Sequence, residues 1–107
     1  MSNYTPDNWV VLKIDNDGEI LYKVLAGWSG GYLSGDAWRM NSGITEVKAD
    51  SDGYLFFYGA SGSCYQCHKD TYRLTMANGG VYNQLKEKFG DAVELMPEDA
   101  DWRNMKW

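Results

Sequence analysis

The sequence predicts an α+β fold: a single domain with an antiparallel sheet of roughly five to six strands, built from hairpins, and one C-terminal amphipathic helix packed on it. Short β-rich runs alternate with Asp/Asn/Gly turn sequences along the first two thirds of the chain. A helical apolar stripe occurs in one place, after Asn78. The length, 107 residues, suits one core rather than two, and aromatic residues, 15% of the chain, supply the large side chains to fill it. Residues 1–107 are therefore read as one domain, with an N-terminal arm over 1–7 and a C-terminal tail over 97–107.

Trp9 to Ile14 is apolar with high strand propensity, Asp15-Asn16-Asp17-Gly18 is turn chemistry, and Glu19 to Trp28 is the returning strand. Ser29 to Asp36 is glycine-rich, and Ala37-Trp38-Arg39-Met40 follows before the break at Asn41-Ser42-Gly43. Ile44 to Ala49 and Tyr54 to Tyr58 flank a second turn of the same type, Asp50-Ser51-Asp52-Gly53. Tyr54-Leu55-Phe56-Phe57-Tyr58 is apolar at successive positions, which predicts a central strand covered on both faces. Val81, Leu85 and Phe89 recur at helical spacing, with Asn78 as the expected N-cap, Lys86, Glu87 and Lys88 outside, and Gly90 as the stop. Phe57 and Leu85 are expected to meet where sheet and helix pack. Ala92 to Leu95 returns to the sheet, and the acidic tail brings Trp102, Met105 and Trp107 to a free face or edge.

Formal net charge is −5, which repels nucleic-acid phosphates and anionic lipid heads, so neither nucleic acid nor membrane is an expected partner. The first residues carry neither a basic nor an apolar targeting segment, and no window has the roughly 18 apolar residues of a membrane span. A cytoplasmic location is expected, in which the two cysteines are thiols unless a cofactor holds them.

Cys64-Tyr65-Gln66-Cys67-His68 spells C-x-x-C-H and uses both cysteines and the single histidine. Haem c would need both thiols on one side of a helical turn with His68 as axial ligand. The flanking Ser61-Gly62-Ser63 and Thr71 to Thr75 point to loop or strand instead, where Cys64 and Cys67 face opposite ways. Zinc would need a fourth ligand such as Asp70 or water, and a thioredoxin-like pair would have to open a helix. No cofactor is expected. Haem c and zinc, through Cys64, Cys67 and His68, are the alternatives to one buried and one half-exposed thiol in an ordinary strand.

Gly27-Trp28-Ser29-Gly30-Gly31 matches the G-x-S-x-G nucleophile elbow but lacks the helix that must follow, and reads as a glycine-rich loop. The two Asp-x-Asp-Gly turns have Gly in the fourth position, between strands, unlike an EF-hand. With no complete catalytic constellation, no catalytic residue is assigned. Trp28, Tyr32 and Trp38, interleaved with glycine, are the candidate apolar anchors of a recognition surface, and Asp36 and Arg39 its polar rim.

Asn8-Trp9-Val10-Val11, Tyr22 to Tyr32, Gly35 to Ile44 and Ser61 to Lys69 together resemble small proteins of T4-like cyanophages, over roughly residues 8 to 75. In that group's pattern Cys67-His68-Lys69 is reserved and the position of Cys64 is not. The group has no assigned activity, so the resemblance implies a phage product in the cytoplasm of an infected host cell and carries over no site residue. The resulting expectation is a small acidic non-enzymatic binding module for a host or phage protein, with a metal or haem protein as the alternative.

Overall fold

Trp9-Val10-Val11-Leu12 is the centre of the molecule. All four residues are at most 1% exposed, with Trp9 and Val11 facing one layer and Val10 and Leu12 the other. The computed structural model describes residues 3–31, 35–105 and 107, and the side chains of all of these except 29–31, 35–36 and 76–77. The fold is α+β, and its strands divide into two four-stranded sheets where one sheet of five to six is expected.

The inner sheet has the order β4-β3-β2-β8, made of β2 (Asn8–Asn16), β3 (Glu19–Gly31), β4 (Gly35–Met40) and β8 (Val93–Leu95), all antiparallel. The outer sheet has the order β1-β7-β6-β5, with β1 (Asn3–Tyr4) parallel to β7 (Cys64–His68), followed by β6 (Tyr54–Gly59) and β5 (Ile44–Ala49). Helix α1 (Met76–Phe89) packs on the free face of the inner sheet, giving three layers. Val24, Ala26, Ile44, Phe57, Tyr65 and Cys67 fill the space between the sheets with Trp9 and Val11, while Val81, Tyr82 and Leu85 pack on Val10, Leu12, Leu25 and Val93.

The two Asp-x-Asp-Gly sequences make different turns. Asp17 and Gly18, at φ 53° and 92°, form a two-residue connection whose twist matches the flanking strands, with the Asp15 carboxylate accepting from Gly18 N–H at 2.8 Å. In the second, Asp50 Oδ1 accepts from the N–H groups of Asp52 and Tyr54, at 2.9 and 3.0 Å, across a longer loop.

Several expectations are corrected. β6 is central in its sheet, but only one of its faces meets the core: Phe57 is buried, and Tyr54, Phe56 and Tyr58 on the opposite face are half-exposed. Phe57 accordingly packs between the two sheets and not against the helix. Asn78 lies inside the helix. Its Oδ1 accepts from Thr75 N–H (2.8 Å) while Gly79 N–H donates to Thr75 O (2.7 Å), so Thr75 opens the helix and Asn78 plays the reciprocal part of a capping box. Asn78 Nδ2 also donates to Leu25 O, pinning the helix to β3. Phe89 is 50% exposed, and Tyr82 takes its place in the apolar stripe.

The tail turns inward. Trp102 is buried with its ring 5.9 Å from those of Trp9 and Phe57 and 5.8 Å from Tyr72, and Trp107 stands edge-on to Tyr22. Tyr72 completes the edge of β2: its hydroxyl accepts from Val11 N–H and donates to Met96 O, bridging the gap between β8 and the Trp9–Tyr72 pairing. Among the described residues no helix is long and apolar enough to cross a membrane.

Candidate functional site

The C-x-x-C-H segment is strand β7, and strand alternation separates its residues. Cys67, opposite Leu55, faces the intersheet core beside Phe57, whereas Cys64, opposite Tyr58, and His68, opposite Tyr54, face the other way. Both thiols are buried, so the half-exposed thiol expected at one position is absent. Burial pushes both thiols up, with a hydrogen bond from Tyr58 partly offsetting it at Cys64, and a protonated thiol is a poor nucleophile and a poor ligand. His68 Nδ1 accepts from Asp70 N–H at 3.1 Å, and its ring stands edge-on to Tyr54. Cys64, Cys67 and His68 could share one ion or one haem only if β7 came apart. Among the described residues no three His, Cys, Asp or Glu side chains group as metal ligands would.

The proposed recognition residues are divided by the same rule. Trp28 and Arg39, in register with Ala37 and Ala26, lie on the face turned toward the outer sheet; Trp38, opposite Gly27, lies on the helix side. Trp28 is half-buried against Tyr4, with its indole N–H donating to Thr5 O at 2.9 Å, which makes it part of the β1 attachment. Trp38 is 52% exposed. Tyr32 lies outside the described residues, as does the side chain of Asp36.

Arg39 leads to a site that sequence reasoning missed. Its guanidinium sits 4.5 Å above the centre of the Tyr4 ring, at the mouth of a cleft of about 480 Å³ between the end of β4 and the turn joining β6 to β7. Tyr4 and Tyr65, with ring centroids 5.0 Å apart, form one wall. Burial raises the Tyr65 hydroxyl to about 12, with the nearby Arg39 charge pulling in the opposite direction. Asn41, Ser42, Ser61 and Ser63 form the other wall, and Lys23 borders it. Ser42 Oγ accepts from Ser61 N–H at 3.0 Å and donates to Ser61 Oγ at 3.2 Å, and Ser61 Oγ lies 3.5 Å from Ser63 Oγ.

Asn41 is the fixed point of this wall. It is 3% exposed, and its Oδ1 accepts from Val24 N–H at 2.9 Å, which sets the amide orientation because a flipped amide would oppose two donors. Asn41 Nδ2 is thus a buried donor with no partner among the described residues. The cleft is lined by the Arg39 guanidinium and a chain of serine hydroxyls, and among the described residues it has no carboxylate on its lining and no nucleophile held by a base. In the sequence Asn41-Ser42-Gly43 and Ser61-Gly62-Ser63 carry only turn signals; their meeting depends on how the two sheets stack, which no local pattern encodes. Compared with known proteins, the chain matches no family model, no curated protein and no solved structure.

Proposed function

We propose that the protein is a non-enzymatic binding module that engages a protein partner along β4, the partner being a host or phage protein as the cyanophage resemblance implies. The observation that carries this reading is Trp38: a large aromatic ring, half in solvent, on an edge strand. Among the described residues β4 pairs with β3 alone, so its other side presents backbone donors and acceptors to which an extended segment can add, with Trp38 as the apolar anchor. The other long edge, β5, carries exposed Glu46 and Lys48, the charged side chains that discourage strand addition. The acidic net charge adds selectivity for a partner with a basic surface. The alternative, a metal or haem protein, has the opposed directions of Cys64 and Cys67 against it.

Affinity capture from an infected cyanobacterial lysate, run with the wild type and with Trp38→Ala side by side, tests the reading. The expected result is a partner held by the wild type and lost by a variant that melts at nearly the same temperature. A variant that captures the partner in full, or one that unfolds, removes Trp38 as an anchor.

A further inference from the structure

We propose that the outward face of the outer sheet is a self-association surface, on which a second copy of this chain docks face to face. Strand alternation and the register of β5, β6 and β7 set the side chains of this face in rows across the strands. Glu46, Tyr58 and Cys64 form the first row, Lys48, Phe56 and Gln66 the second, and Tyr54 and His68 the third. Tyr54, Phe56 and Tyr58 are half-exposed there, while Leu55 and Phe57 between them go into the intersheet core. An aromatic strip bordered by the exposed Glu46 and Lys48 has the apolar centre and polar rim of a protein interface.

The charges select the occupant. Glu46 and Lys48 stand two residues apart on one edge of the strip, and among the described residues neither makes an ion pair; Lys48 Nζ lies 5.6 Å from the centre of the Tyr58 ring. A two-fold dimer sets one patch against its own copy, so the patch must complement itself. Packed sheets keep their strands within about 30° of each other, and a two-fold axis between the sheets and across the strands lays β5 antiparallel on β5 of the second copy. With that axis between the first and second rows, Glu46 faces Lys48 of the second copy, Lys48 faces its Glu46, and Tyr58 and Phe56 face each other in the same way. An axis on the Phe56 row sets Lys48 against Lys48, and an axis along the strands sets the two charges against Cys64 and Gln66. Of the three arrangements, the first alone pairs both charges. A nucleic acid, whose phosphates need several cations, finds Lys48 balanced by Glu46. The net charge of −5 acts between copies mainly through groups outside the patch, and salt screens it beyond about 8 Å.

Three strands of about five residues make a patch of roughly 15 by 17 Å, at the small end of protein interfaces, where association is weak. In dilute solution the chain is then a monomer with this face open. The face belongs to the other sheet from β4, so the dimer is separate from partner binding through Trp38. Sedimentation equilibrium from about 5 µM to about 1 mM covers the range of weak association. The wild type is expected to shift from monomer to dimer across it, with the NMR signals of Tyr58 and Phe56 moving over the same concentrations. Lys48→Glu and Glu46→Lys, both at exposed positions, should each raise the dissociation constant at least about tenfold by replacing attraction with like-charge contact. The double variant Glu46→Lys with Lys48→Glu should restore it. A monomer throughout the range, a dimer indifferent to both single changes, a double variant no tighter than the singles, or a dimer lost in Trp38→Ala would overturn the proposal.

Discussion

β2 and β6 carry the two most apolar runs of the chain, and the molecule treats them differently. Trp9 to Leu12 in β2 is enclosed on both faces, by the outer sheet and by α1, whereas Tyr54 to Tyr58 in β6 is enclosed on one. Both read as buried strands. The runs differ in chemistry: Val10, Val11 and Leu12 have no polar side-chain atom, while the outward residues of β6 include Tyr54 and Tyr58, whose hydroxyls belong in water and whose rings meet the His68 ring edge-on and the Lys48 ammonium. A run of apolar character says that a strand is covered at least once. Polar handles at alternate positions mark the face left open.

Substitution should expose this difference, and the largest effect is expected between the sheets. Phe57→Ala should cost about 3–5 kcal/mol, because Phe57 is fully buried against Trp9 and Trp102. Phe56→Ala, one residue away on the open face, should cost on the order of 1 kcal/mol. Equal losses in urea denaturation would mean that the outer face of β6 is covered after all. On the helix side, Leu25→Ala should cost about 2–5 kcal/mol and the half-buried Leu85→Ala less, which ranks the sheet above the helix as the source of stability.

The cysteines sharpen the comparison within one strand. Cys67→Ser places a hydroxyl in the intersheet core and should cost about 1–3 kcal/mol; Cys64→Ser, on the other face beside the Tyr58 hydroxyl, should cost less. The reverse order would contradict the assigned faces of β7.

The smallest effect near neutral pH concerns ionisation. Tyr65 and Tyr72 are raised to about 12 by burial, from 10.0. Cys64 and Cys67 are raised from 9.0, also by burial. The unfolded chain releases these protons first, so the stability they contribute is fully present below about pH 9 and falls as pH rises from there through 12. Urea midpoints should match at about pH 7 and 8 and drop clearly by about pH 11. No drop over that interval would show that these hydroxyls and thiols reach solvent.

How much of this was legible can be seen residue by residue. The Asp17-Gly18 hairpin, the helix with Val81 and Leu85 inward and Gly90 at its end, and the opposed directions of Cys64 and Cys67 all follow from local rules, since turn geometry and the periods of helix and strand are set by neighbouring residues. The α+β class follows from the same rules. Stacking was not legible at that range. Which strands form which sheet, the entry of Trp102 into the core and the meeting of Arg39, Asn41 and Ser42 with Ser61 and Ser63 all join residues distant in sequence. The energy that selects these pairings is hydrophobic burial, which is non-directional and leaves no periodic mark on the chain. Tertiary structure alone therefore decided that Arg39, Asn41 and Ser42 would line one cleft with Ser61, Ser63, Tyr4 and Tyr65.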